Sequence, residues 1–120
     1  MTGSRSRVHR GYRTERNVAE YLQVNGWPFA LTQGGKAGTD ITGTPGLSIE
    51  VKARSGFEPL AWVKQAEKRD GLPFAVMRCN GQGDDAANYI SLIRFEVLVE
   101  LLKKAGYTTE VPHVGSADPA

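Results

Sequence analysis

From Leu47 to Arg54 apolar and polar residues alternate, with Leu47, Ile49, Val51 and Ala53 on one side and Ser48, Glu50, Lys52 and Arg54 on the other. That two-residue period predicts a strand with one face on a core. Residues 72–77 and 89–93 are apolar runs of strand length, separated by a polar stretch rich in Gly, Asp and Asn. Three other segments carry helical spacing. Residues 14–25 place Val18, Ala19 and Leu22 on one stripe, and Gly26 supplies a stop before Trp27 and Pro28. Residues 58–70 do the same with Leu60, Trp62, Val63 and Ala66, ending at Gly71. Phe95, Leu98, Val99 and Leu102, closed by Lys103-Lys104, describe a third amphipathic helix. The order αβββαββα predicts an α/β fold: a single domain with a central mixed β-sheet flanked by helices.

A chain of 120 residues, 40% hydrophobic, supports one domain with a modest core. We expect a flexible basic arm over 1–9, the folded domain over 10–107 and a loose tail over 108–120. The single cysteine, Cys79, excludes an internal disulfide framework and a Cys-rich zinc site; it is expected to end a buried strand as a small hydrophobe. The sequence has neither a secretory h-region nor an apolar run of membrane-spanning length, so a soluble, cytoplasmic protein with no membrane partner is expected, nucleoid-associated when working.

The chemistry is concentrated around the alternating strand. Glu50 and Lys52 point the same way, roughly 6.6 to 7 Å apart. Thr44-Pro45-Gly46 reads as a hairpin loop joining residues 39–43 to the strand. In that register Ile41 faces Ile49 and Asp40 faces Glu50. Like charges directly opposed are destabilising unless something positive lies between them, and a divalent cation is the simplest neutraliser. Oxygen-rich sites of this kind suit Mg²⁺ or Mn²⁺, which keep several waters and take one or two carboxylates. Lys52 is placed to orient an attacking nucleophile. A Glu-x-Lys by itself reads first as a charge pair on a solvated sheet face; the upstream Asp in register makes the site the better reading.

A third acid, Glu15, precedes Val18, Ala19 and Leu22 by three, four and seven residues and so shares their inward stripe. Either it belongs to the site, or it is a first-turn carboxylate favoured by the helix macrodipole beside a Thr14 cap.

Arg10-Gly11, Glu15-Arg16 opening a helix, Gly34-Gly35-Lys36-Ala37-Gly38, Asp40, and Ile49-Glu50-Val51-Lys52 stand in an order and spacing that resemble the PD-(D/E)XK nuclease superfamily, and within it the archaeal-type Holliday junction resolvases and their phage relatives. The likeness covers roughly residues 10–78. Thr39 stands where the motif often has Pro, and Thr32-Gln33 departs from the archaeal resolvases. The resemblance implies a restriction-endonuclease-like fold, metal binding by Asp40 and Glu50, a role for Lys52 at the nucleophile, and metal binding by Glu15 directly or through water. It also implies a Val51 carbonyl ligand, a site glutamine at Gln65, and 5′-phosphate and 3′-hydroxyl products.

The net charge of +2 is unevenly spread: residues 1–69 hold 11 Lys/Arg against 6 Asp/Glu, and residues 70–120 hold 4 against 7. Arg10, Arg13, Arg16, Lys36 and Arg54 are the candidate contacts to DNA backbone; Arg5 and Arg7 are weaker candidates, the other reading of them being a solvated arm with no partner. The glycine loop around Lys36 lacks the Gly-Lys-Ser/Thr ending of a nucleotide loop, so no nucleotide cofactor is expected. His9 and His113 have no partner at catalytic or metal spacing and are assigned no chemistry. The functional expectation is a Mg²⁺-dependent, structure-selective DNA endonuclease acting on branched DNA, a Holliday junction resolvase working as a homodimer, because two symmetric cuts call for a two-fold enzyme. The alternatives are a restriction-type, nicking or flap-cleaving relative, a catalytically silent DNA-binding module, and a small interaction protein without DNA affinity.

Overall fold

The computed structural model describes the backbone of residues 2–33, 40–53 and 56–109, with side chains from residue 11 onward. Lys36 with its glycine loop, Arg54 and residues 110–120, His113 included, lie outside the described residues, as do the side chains of His9 and Arg10. The elements follow as α1 (Thr2–Gln23), β1 (Leu31–Thr32), β2 (Ile41–Thr42), β3 (Leu47–Lys52), α2 (Pro59–Glu67), β4 (Leu72–Met77), a 3₁₀ turn (Ala86–Asn88), β5 (Ile90–Leu92) and α3 (Phe95–Lys104). The expected fold class holds: a single α/β domain with a mixed sheet flanked by helices. The sheet order is β3-β4-β5, with β3 and β4 parallel and β5 antiparallel to β4; β1 and β2 form a separate antiparallel pair.

The parallel pair requires a crossover, which α2 supplies with Pro59 in its first turn. Val18 and Ala19 of α1 pack with Ile49, Val51 and Val76 on one face of the sheet. On the opposite face Trp62 of α2 packs with Ala75 and Met77. This corrects the expectation for β3: its polar face is covered, with Ser48 as buried as Ile49 and Glu50 buried beside them. Ser48 meets the cost of burial by donating its hydroxyl to the Ala66 carbonyl at 2.5 Å. Leu60, expected to face inward, is 56% exposed. Cys79 sits just past β4, half-buried against the Trp62 cluster.

Two differences matter for the site. Helix α1 begins at Thr2 rather than near Thr14, so the backbone of the expected arm continues the helix. Glu15 is therefore far from the first turn, and the macrodipole account of it falls away. The β2–β3 connection is tighter than expected. Leu47 N–H bonds the Thr44 carbonyl at 3.0 Å, with Pro45 and a Gly46 φ of 82° at the central positions of a type II turn. Gly43 is dictated by contact: at its φ of 76°, a Cβ would stand 1.9 Å from the Phe29 carbonyl oxygen.

Candidate active site

The β2–β3 connection sets the acids. Asp40 N–H donates to the Ile49 carbonyl at 3.1 Å, which puts Asp40 across from Ile49, one residue from the expected register. Its side chain makes up the difference by reaching forward, and Asp40 Oδ2 accepts the Val51 N–H at 2.7 Å. The N–H and C=O of one strand residue point to the same edge. The Val51 carbonyl therefore also faces the Asp40 edge, away from β4, whereas the Lys52 carbonyl accepts from Arg78 N–H of the β4 side at 2.8 Å.

Glu50 is 9% exposed, and its Oε2 lies 3.2 Å from Lys52 Nζ, which is itself largely buried. Burial raises the Asp40 pKa, opposed by the Val51 N–H, by Lys52, by a hydrogen bond with Glu50 and by Arg69. Burial and the Asp40 charge raise that of Glu50, opposed by Lys52 and Arg69. Glu15 arrives from α1 and is pushed up to about 7 by burial, then by the charges of Asp40 and Glu50, with Lys52 acting against them. Glu15, Asp40, Glu50 and Lys52 thus occupy one electrostatic neighbourhood at the free edge of β3, between the two helical layers. Three acids whose charged forms are all disfavoured by one another or by burial make a site that gains from a bound cation.

Two carboxylates and a backbone carbonyl are a donor set suited to a hard cation that keeps most of its waters. Among the described residues, however, no group of three or more His, Cys, Asp and Glu side chains is gathered to hold a metal ion. Glu15 acts on the Asp40–Glu50 pair at longer range. As a donor set, Asp40, Glu50 and the Val51 carbonyl fit a two-carboxylate Mg²⁺ or Mn²⁺ site.

Gln65 is exposed on α2. Arg69, two residues past the end of α2, is close enough to lower the pKa of both Asp40 and Glu50. Sequence reasoning missed Arg69, because an arginine after a helix end carries no local signal. Of the expected DNA contacts, Arg13 is exposed and pairs with Asp84 at 3.7 Å. Exposed Arg16 lies over the Tyr12 ring, 5.7 Å from its centroid. Also missed was Arg78, which donates to Thr14 Oγ1 at 3.3 Å and to Asp84 at 3.2 Å. Asn17 joins the same group by donating to Asp84 and to the buried Tyr89 hydroxyl. Together they clamp the loop after β4 onto α1. An apolar pocket of about 370 Å³, lined in part by Phe57, Met77 and Leu92, opens beyond β4 and brings no charged side chain to the acids.

No family model, characterised protein or solved structure matches the chain. Among the described residues no helix is long and apolar enough to cross a membrane.

Proposed function

We propose that the chain is a Mg²⁺-dependent DNA endonuclease of the PD-(D/E)XK type, selective for branched DNA, with the four-way junction as substrate and a two-fold dimer as the working unit. The observation that carries this reading is the convergence of Glu15, Asp40, Glu50 and Lys52 on one edge of β3, three acids with raised pKa values around a nearly buried lysine. Asp40, Glu50 and the Val51 carbonyl would hold the cation, which supplies charge neutralisation and Lewis acidity at a phosphate oxygen. The Val51 N–H keeps the Asp40 carboxylate turned toward that edge. Lys52, held by Glu50, orients a water for in-line attack on phosphorus; the new P–O bond forms as the bond to the 3′ oxygen breaks. Glu15, with its pKa near neutrality, is suited to hold or pass a proton through water. Arg13, Arg16 and Arg69 supply positive charge for backbone phosphates.

The test is cleavage of labelled four-way junction, flap and matched duplex, in Mg²⁺ or EDTA, by wild type, Lys52→Ala and Asp40→Asn, with circular dichroism confirming each fold. Paired metal-dependent cuts on the junction alone, lost in both variants, support the resolvase reading. Equal cutting of duplex or flap retains the nuclease and removes that selectivity. A folded wild type that binds DNA but never cuts favours a silent DNA-binding module.

A further inference from the structure

The apolar pocket beyond β4 lies on the same face of the sheet as Glu50 and Lys52. Residues paired across neighbouring strands turn their side chains to one side. Lys52 pairs with Met77 and Met77 with Ile90, so these three make one row, and Glu50, Ala75 and Leu92 make the next. Met77, Ile90 and Leu92 line the pocket from the sheet, and Phe57, just before α2, lines it from the other side. Neighbouring strands lie about 4.8 Å apart, so the pocket begins one strand from Lys52 and its far wall is two strands away. Its volume of about 370 Å³ is at the small end of the range for small-molecule sites.

The division of charge selects the occupant. No charged side chain lines the pocket, whereas Lys52 and Arg69 both act on the carboxylates next to it. A ligand that spans the two has an anionic part and a neutral part. The neutral part is met by an aromatic ring: Phe57 is 62% exposed and is oriented by an edge-to-face contact with Trp62, with centroids 6.0 Å apart at 82°, which leaves it open for stacking. Asn80 also lines the pocket, and among the described residues its side chain makes no hydrogen bond. An amide offers donors and an acceptor together, the complement of a base edge. We propose that the pocket receives one unpaired base of the DNA strand whose phosphate lies at the acids. This rests on the proposed function and adds to it the feature of branched DNA that is read. A base enters only when it leaves the stack, and that step costs least where the base is already unpaired. The pocket therefore favours a branch point with an unpaired nucleotide over matched duplex.

The measurement is the affinity of the full chain for three fluorescein-labelled duplexes, in Ca²⁺ and in EDTA, with the strands verified uncut. One duplex is fully matched, one carries a single unpaired thymidine, and one carries an abasic residue at that place. Wild type should bind the thymidine duplex at least about ten-fold more tightly than the abasic one. Phe57→Ala, which removes the stacking ring, and Ile90→Trp, which fills the pocket from a half-exposed position, should each bring that ratio to about one, with circular dichroism confirming each fold. Equal affinity of wild type for the two DNAs overturns the proposal, as does a ratio that both variants keep. An apolar dye that enters the pocket and is excluded by Ile90→Trp, in a protein without base preference, marks a site for an apolar small molecule and also overturns it. Cleavage of the same DNAs in Mg²⁺ separates this proposal from the nuclease reading. Cutting without base preference sinks the pocket and leaves the nuclease, whereas base preference without cutting keeps the pocket and loses the nuclease. No binding of any of the three DNAs overturns both.

Discussion

Replacing Glu15 by Gln tests the electrostatics of the site without relying on catalysis. Glu15 holds its proton more tightly in the folded chain than in the unfolded one, with a pKa raised from the ordinary 4.5 to about 7. The metal-free fold is therefore at full strength with respect to this group below pH 4.5 and loses stability as pH rises through about 7. At about 1.4 kcal/mol per pKa unit the penalty at pH 8 has a ceiling of about 3 kcal/mol. Glu15 is only half-buried, and solvent screening brings the effect down to on the order of 1 kcal/mol. Urea unfolding in EDTA, followed by the fluorescence of Trp27 and the buried Trp62, should find Glu15→Gln more stable than wild type by that amount at pH 8. The gain should nearly vanish at pH 5, where wild-type Glu15 is largely protonated. An equal difference at both pH values, or a variant less stable at pH 8, would refute the idea that Glu15 shares a negative neighbourhood with Asp40 and Glu50.

Addition of Mg²⁺ or Mn²⁺ at pH 8 should raise the thermal midpoint of wild type, and Asp40→Asn should remove most of that rise; a wild type indifferent to both ions would sink the metal reading. Ser48→Ala removes the short bond to the Ala66 carbonyl, which keeps the longer one from Arg69 N–H at 3.4 Å, and should cost about 1 kcal/mol in urea unfolding, with no change at all arguing against that bond. Gly43→Ala drives a methyl into the Phe29 carbonyl and should cost more than about 3 kcal/mol or abolish folding. A well-folded alanine variant would mean that this close approach is not kept in solution.

What was legible in the sequence follows from the range of each signal. The period-two run gave β3, the apolar block gave β4 at its true limits, and the Phe95 to Lys104 pattern gave α3, because each is written in neighbouring residues. The acid pair was legible for the same reason: a short Pro-Gly connection leaves Asp40 few places to go. Glu15 was legible from its stripe, although the start of its helix was not, since that stretch has no capping signal followed by an apolar stripe. Other misreadings concern partners distant in sequence. The covered polar face of β3 depends on where α2 lands, and the exposure of Leu60 on how that helix is rotated. Arg69 and Arg78 gain their roles from residues tens of positions away, which no local spacing encodes.

The bond from Val51 N–H to Asp40 also determines how this sheet ends. Beyond Asp40 the outer edge of β3 would offer its backbone to any passing strand, and an open edge beside apolar residues is a template for unwanted pairing. A carboxylate occupies that position in place of a neighbouring main chain, so the sheet is finished by a charge rather than by another strand. Asparagine at position 40 would keep an oxygen there and test the chemistry alone. Alanine would reopen the edge, and its phenotype would include a new tendency to aggregate.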